Sequence, residues 1–152
     1  MTAFEIIDAI CDSINPLLFF LALGVVITRL IQKNYQTAST VFMLLLGGLL
    51  LAYGILFIDN RADLWKSFGS DYSTHTAFAI ATSIAIIAGT RWGKWLAILF
   101  SLYVIAMLYQ DYHSVLDIVT TSLVVGAPLL LIRHIVVNFS LKKRQLHQGL
   151  TE

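Results

Sequence analysis

Three residues in this chain are of types that could do acid–base or nucleophilic chemistry, and their spacing suits it: His75, His113 and, four residues after His113, Asp117. Residues four apart on a helix share a face, with Cβ atoms about 5–6 Å apart. A carboxylate placed there can accept the proton of one ring nitrogen and hold the imidazole in one tautomer. The other nitrogen is then free as nucleophile or base, which is the base-plus-orienter logic of catalytic triads. Ser73-Thr74-His75 stands where an apolar helix is expected to begin, with Ser73 as its N-cap. Backbone N–H groups left unpaired at such an end, with the helix dipole behind them, bind phosphate. A second histidine beside an anion site can protonate a leaving oxygen. Together these parts describe phosphoryl transfer through a phosphohistidine.

The elements that must position these residues are membrane helices. The chain has 152 residues, 58% hydrophobic and 12% charged, with mean hydropathy +0.80. Soluble domains carry about 25% charged residues, so the composition predicts an all-α integral membrane protein forming a single domain. Five apolar segments are expected, over about 14–31, 40–58, 73–89, 95–109 and 113–139, each needing about 20 residues to cross the hydrocarbon. Pro16 is expected in the opening turn of the first span. Before it, Glu5, Asp8 and Asp12 share one helical face and Phe4, Ile7, Ile10 and Cys11 another, which predicts a short amphipathic interfacial helix over 1–13. Its bland counterpart is an N-terminal extension of the first span. Residues 140–152 are expected to be a cytoplasmic tail whose Lys142, Lys143, Arg144 and His147 meet anionic lipid. Cys11 is the sole cysteine, so no internal disulfide is possible.

The charges orient the bundle. With alternating spans, Arg29, Lys33, Arg91, Lys94, Arg133, Lys142, Lys143 and Arg144 fall on one side, and only Arg61 and Lys66 on the other. The positive-inside rule then places the N-terminus outside and the C-terminus in the cytoplasm. His75 and His113 thereby come to the same outer face at similar depth. Thr82 and Ser83 follow His75, and Thr120 and Thr121 follow His113, on inward-facing stripes. Ala77, Ala81, Ala85 and Gly89 form a small-residue seam for close helix approach, and Gly47 and Gly48 are expected to do the same for the second span.

Tyr72-Ser73-Thr74-His75-Thr76-Ala77 resembles the Pro-Ser-Gly-His-Thr motif of the type 2 phosphatidic acid phosphatase superfamily, and His113-Ser114-Val115-Leu116-Asp117-Ile118 resembles its later His-x-x-x-Asp-Val motif. The resemblance covers roughly residues 73–126. It implies His113 as nucleophile, Asp117 as its orienting partner, His75 as general acid, Ser73 as phosphate-binding, and no metal or cofactor. Thr74, at the same helix end, is a phosphate-binding candidate by position. The implied substrate is a lipid phosphate or another phosphate-containing lipid headgroup. The family's first motif, a Lys followed by Arg-Pro, has no counterpart here. Met107 stands where the family has Arg six residues before its later His, Thr74 replaces Gly and Tyr72 replaces Pro. Arg61 and Lys66, as the only cations on the outer side, are the available substitutes for the anion clamp. The sphingomyelin-synthase-like branch, which transfers headgroups between lipids, is similar in keeping two His and an Asp without the usual cations.

Other functions share some of these residues. Two histidines on facing helices can ligate haem, and His with Asp at i+4 can ligate a metal. A catalytically inactive relative or accessory membrane subunit would keep the same motifs. An ion path through intramembrane Asp and His is a further option, although no repeat typical of transporters is visible. Near-neutral net charge argues against nucleic acid as partner. Small size points to a bacterial plasma membrane. Trp92 and Trp95 read as interfacial anchors, and Arg133 and His134 as snorkelling residues.

Overall fold

The computed structural model describes residues 2–148, with the side chains of residue 3 and of residues 139–148 outside the description. Five α-helices follow one another: α1 (Ala3–Ile31), α2 (Tyr35–Ala62), α3 (Thr74–Gly89), α4 (Gly93–Tyr109) and α5 (Val115–Gln148), with one 3₁₀ turn at Lys66–Phe68. No strand occurs among the described residues. Three stretches, Phe4–Ile31, Tyr35–Ala62 and Val115–Asn138, are long and apolar enough to cross a membrane. Their surface agrees: Leu17, Phe20, Leu50 and Leu123 are each at least 63% exposed, and large exposed apolar faces of this kind mark membrane or protein contact. At 1.5 Å per residue, α3 and α4 are about 24 and 26 Å long, short of the roughly 30 Å hydrocarbon layer.

Several helix ends are set by local caps. The Thr2 N–H donates to the Glu5 carboxylate at 2.7 Å and the Glu5 N–H to Thr2 Oγ1 at 3.3 Å, a capping box that opens α1. Residues 3–13 are therefore the first turns of α1 itself, not a separate interfacial helix, and Pro16 lies in the helix interior instead of an opening turn. The Asn34 side chain caps α2 by accepting from the Thr37 N–H. Asp63 ends α2 in the left-handed region, at φ 49°. Helix α5 continues past the expected end of its span to Gln148, so most of the expected tail is helical in backbone, while residues 149–152 lie outside the described residues.

Helix α3 is the centre of the bundle, packed by α1, α2 and α5. Its Ala77, Ala81 and Ala85 are fully buried. A Cβ on Gly48 would stand 3.0 Å from that of Ala81, and one on Gly89 would lie 2.6 Å from Val25 and 2.7 Å from Val41. These contacts let α2 and α1 approach α3 closely, as small-residue seams do. Gly47, by contrast, meets nothing and faces outward. Helix α4 is peripheral, attached to α1 and α3 through Leu96, Tyr103 and Met107.

Candidate active site

The connection from α2 to α3 does not hang free; it is strapped onto α5. Trp65 is 5% exposed, and its indole N–H donates to Thr120 Oγ1 at 2.9 Å. The Ser70 hydroxyl and the Asp71 N–H (2.8 Å) both donate to Asp117 Oδ1. The Ser73 N–H donates to Thr121 Oγ1 at 3.1 Å, and the Tyr72 hydroxyl to the Ala52 carbonyl of α2 at 2.8 Å. The threonines expected on an inward stripe of α5 are thus the acceptors that seat the entry to α3.

Asp117 is central to this arrangement. Its Oδ2 accepts from the Ser114 N–H at 2.7 Å, while the Asp117 N–H donates to Ser114 Oγ at 3.2 Å. Ser114 and Asp117 are therefore a reciprocal cap on α5, of the Ser-x-x-acid type. One carboxylate joins the segment just before His75 to the residue just after His113. The structure accordingly brings the two histidines together, with ring centroids 6.3 Å apart. His75 is flanked by the ring of Tyr112, stacked at 6.0 Å and 5°, and by Asp12 of α1, with Nε2 to Oδ1 at 3.9 Å. Asn15 of α1 donates to the His75 carbonyl at 3.4 Å.

His113 lies in the turn between α4 and α5, its side chain 15% exposed. Its Nδ1 is 3.8 Å from Asp117 Oδ2, outside hydrogen-bond range, and has no other partner. Burial pushes the imidazole below its ordinary pKa of 6.5; the Asp117 charge opposes this, His75 adds to it, and Asp71 opposes it. Burial thus favours the neutral form of the His113 ring.

The remaining expected residues divide. Ser73 caps α3, with its hydroxyl accepting from the Thr76 N–H at 3.3 Å and donating to Thr76 Oγ1 at 2.8 Å. It is fully buried, so its side chain is engaged in the cap and does not face a ligand. Thr74 and His75 keep unpaired N–H groups at the helix end, as the first residues of a helix do. Both line an open cleft of about 450 Å³ between α1, α2 and α3, with Asn15, Tyr53 and the rings of Phe19, Phe20 and Phe78. That volume is in the range of small-molecule sites. Arg61 and Lys66 are not brought to the pair. The Arg61 guanidinium lies 5.2 Å above the Phe57 ring, and Lys66 pairs with Asp63 at 2.9 Å, a hydrogen bond that raises its pKa. Among the described residues no group of three or more histidine, cysteine or acidic side chains converges as a metal site.

Sequence reasoning missed Ser70, Tyr112, Asp12 and Asn15. The Ser114–Asp117 cap was legible as a Ser-x-x-Asp pattern before an apolar run. The other four act across chain separations that no local pattern reports. No protein-family model, curated protein or solved structure matches the chain. The site is therefore read from its own geometry.

Proposed function

We propose that the chain is a membrane enzyme that hydrolyses or transfers the phosphate of a lipid headgroup at one membrane face. The observation carrying this reading is the meeting of His75 and His113 at the N-terminus of α3, with Asp117 beside the His113 ring. Nδ1 of His113 faces Asp117, which leaves Nε2 as the nucleophile. Nε2 forms a bond to phosphorus while the bond to the leaving oxygen breaks, and His75 gives that oxygen its proton. An acceptor, water or a lipid hydroxyl, then loses its proton to His75, attacks the phosphohistidine and releases His113. The Thr74 and His75 N–H groups supply donors for the phosphate oxygens, in place of an arginine clamp. The cleft beside His75 has a polar edge of Asn15, Thr74 and His75 and an apolar wall of phenylalanines, which suits a headgroup joined to an acyl chain. Five spans, an outward-facing site and a bacterial plasma membrane complete the proposal.

A second reading has its own support. Asp117 is engaged in capping and strapping, and its gap to His113 is 3.8 Å. Both features suit an inactive relative or accessory subunit in which the carboxylate is purely structural. One experiment separates the two. Detergent-purified protein is incubated with a panel of lipid monophosphates, diphosphates and phospholipids, beside His113→Ala. Phosphate release or headgroup exchange that the variant abolishes supports the enzyme. No product from any substrate, or unchanged turnover in the variant, rules it out.

A further inference from the structure

The end of the bundle opposite the histidines carries a second cavity, about 420 Å³, between the last turns of α1 and the turn joining α3 to α4. Arg29, Thr90, Arg91 and Trp92 line it at the helix ends, and Leu21 and Val25 line it further toward the middle of α1. Arg29 is held in place. Its Nε–H and Nη2–H both donate to the Gly89 carbonyl, and its Nη1–H donates to Gln32 at 2.7 Å. A guanidinium has further donors beyond these three bonds. Arg91 is exposed and makes no such bonds. Among the described residues neither arginine has a carboxylate partner. The Lys66–Asp63 ion pair lies at the other end, as do all the acidic side chains described.

Two unneutralised guanidiniums at the mouth of a cavity with an apolar floor need an anion that is itself amphipathic. We propose that this cavity binds a phosphate ester, with Arg29 and Arg91 as its cationic partners, and that the ester is the headgroup of an anionic phospholipid. Arginine suits the task because its planar donors match phosphate oxygens in pairs. The fixed orientation of Arg29 lowers the entropy lost on binding. Trp92 belongs at the depth where headgroups meet hydrocarbon, and Leu21 and Val25 offer the first acyl carbons an apolar surface. Basic pockets between membrane helices take anionic headgroups in this manner. The site stands or falls independently of catalysis at the histidines.

The test is lipid binding to the full chain in neutral detergent, read by native mass spectrometry. Phosphatidylglycerol and phosphatidylcholine are titrated against wild type, Arg91→Gln, Arg29→Gln and Lys94→Gln. Phosphatidylglycerol is expected to bind about fivefold or more tighter than phosphatidylcholine, and Arg91→Gln to remove about fivefold, the share of one basic residue at an anionic surface. Lys94, whose Nζ sits 5.2 Å above the Trp95 ring and which does not line the cavity, is the control and is expected to change little. Arg91 makes no structural bond, so its variant answers the question even if Arg29→Gln fails to fold. A competing titration with soluble glycerol phosphate distinguishes the sources. Poor competition identifies the lipid, whereas equal competition keeps the phosphate ester and overturns the lipid as its source. Equal binding of the two lipids, an unaffected Arg91→Gln, or an equal loss in Lys94→Gln overturns the site altogether.

Discussion

Removing the Asp117 carboxylate should loosen the whole histidine end of the bundle, whatever its effect on turnover. The carboxylate accepts from the Ser70 hydroxyl, the Asp71 N–H and the Ser114 N–H, and its side chain is 8% exposed. A hydrogen bond to a charged group contributes about 1.5–3 kcal/mol, and a buried donor left without a partner costs about 1–3 kcal/mol. Asp71 is exposed, so water can replace its lost partner. Ser114 is exposed as well, so the buried bond from Ser70 sets the scale, and Asp117→Ala should destabilise by about 3 kcal/mol. That is a large part of the roughly 5–15 kcal/mol typical of a folded domain. Asp117→Asn keeps one acceptor oxygen but turns an NH₂ toward a donor N–H, so an intermediate loss of about 1–2 kcal/mol is expected. Cys11 offers the assay. It is the only cysteine, is fully buried, and shares a core cluster with Ile118, one residue from Asp117. Its labelling by a thiol reagent reports opening of this end. A loss of 3 kcal/mol corresponds to labelling about a hundredfold faster when opening is a rapid pre-equilibrium. Labelling of Asp117→Ala within about threefold of wild type, near 0.6 kcal/mol, would refute the view that this carboxylate holds the two segments together.

Two further outcomes follow from the same geometry. Because burial lowers the His113 pKa, the acid limb of kcat/KM on an active lipid should lie below pH 6.5. Stability carries the same sign: the unfolded chain binds a proton at His113 that the folded chain resists, so stability falls as pH drops from 6.5 through the folded pKa. An acid limb above 6.5, or stability that rises on acidification through this window, would contradict the assignment. Gly89→Ala places a Cβ 2.6–2.7 Å from Val25 and Val41, and overpacking of this kind costs about 1–3 kcal/mol. Gly47→Ala, at an open site, should be neutral or slightly stabilising by the same thiol-labelling measurement.

Much of this protein is local and so could be read from the chain alone. Apolar runs and their caps place helices because both depend on residues within about four positions of one another. The Ala77, Ala81, Ala85 and Gly89 spacing anticipates a close-packed seam, and the structure buries that seam. What lies across the bundle depends on how the helices cross. The contacts from Ser70 and Asp71 to Asp117 span 47 and 46 residues, and that from Asn15 to His75 spans 60. Only packing reveals that Ser73 faces Thr76 and Thr121, leaving Thr74 and His75 at the cleft. Arg61 and Lys66, by contrast, are drawn to neighbours only four and three residues away, Phe57 and Asp63, and so stay apart from the clamp that charge counting assigns them. Residue type and spacing determined that two histidines and an aspartate would stand at helix entrances. The tertiary structure decided that one carboxylate ties those entrances together, because the donors of a turn 46 and 47 residues away meet an oxygen that the local Ser114 cap leaves open.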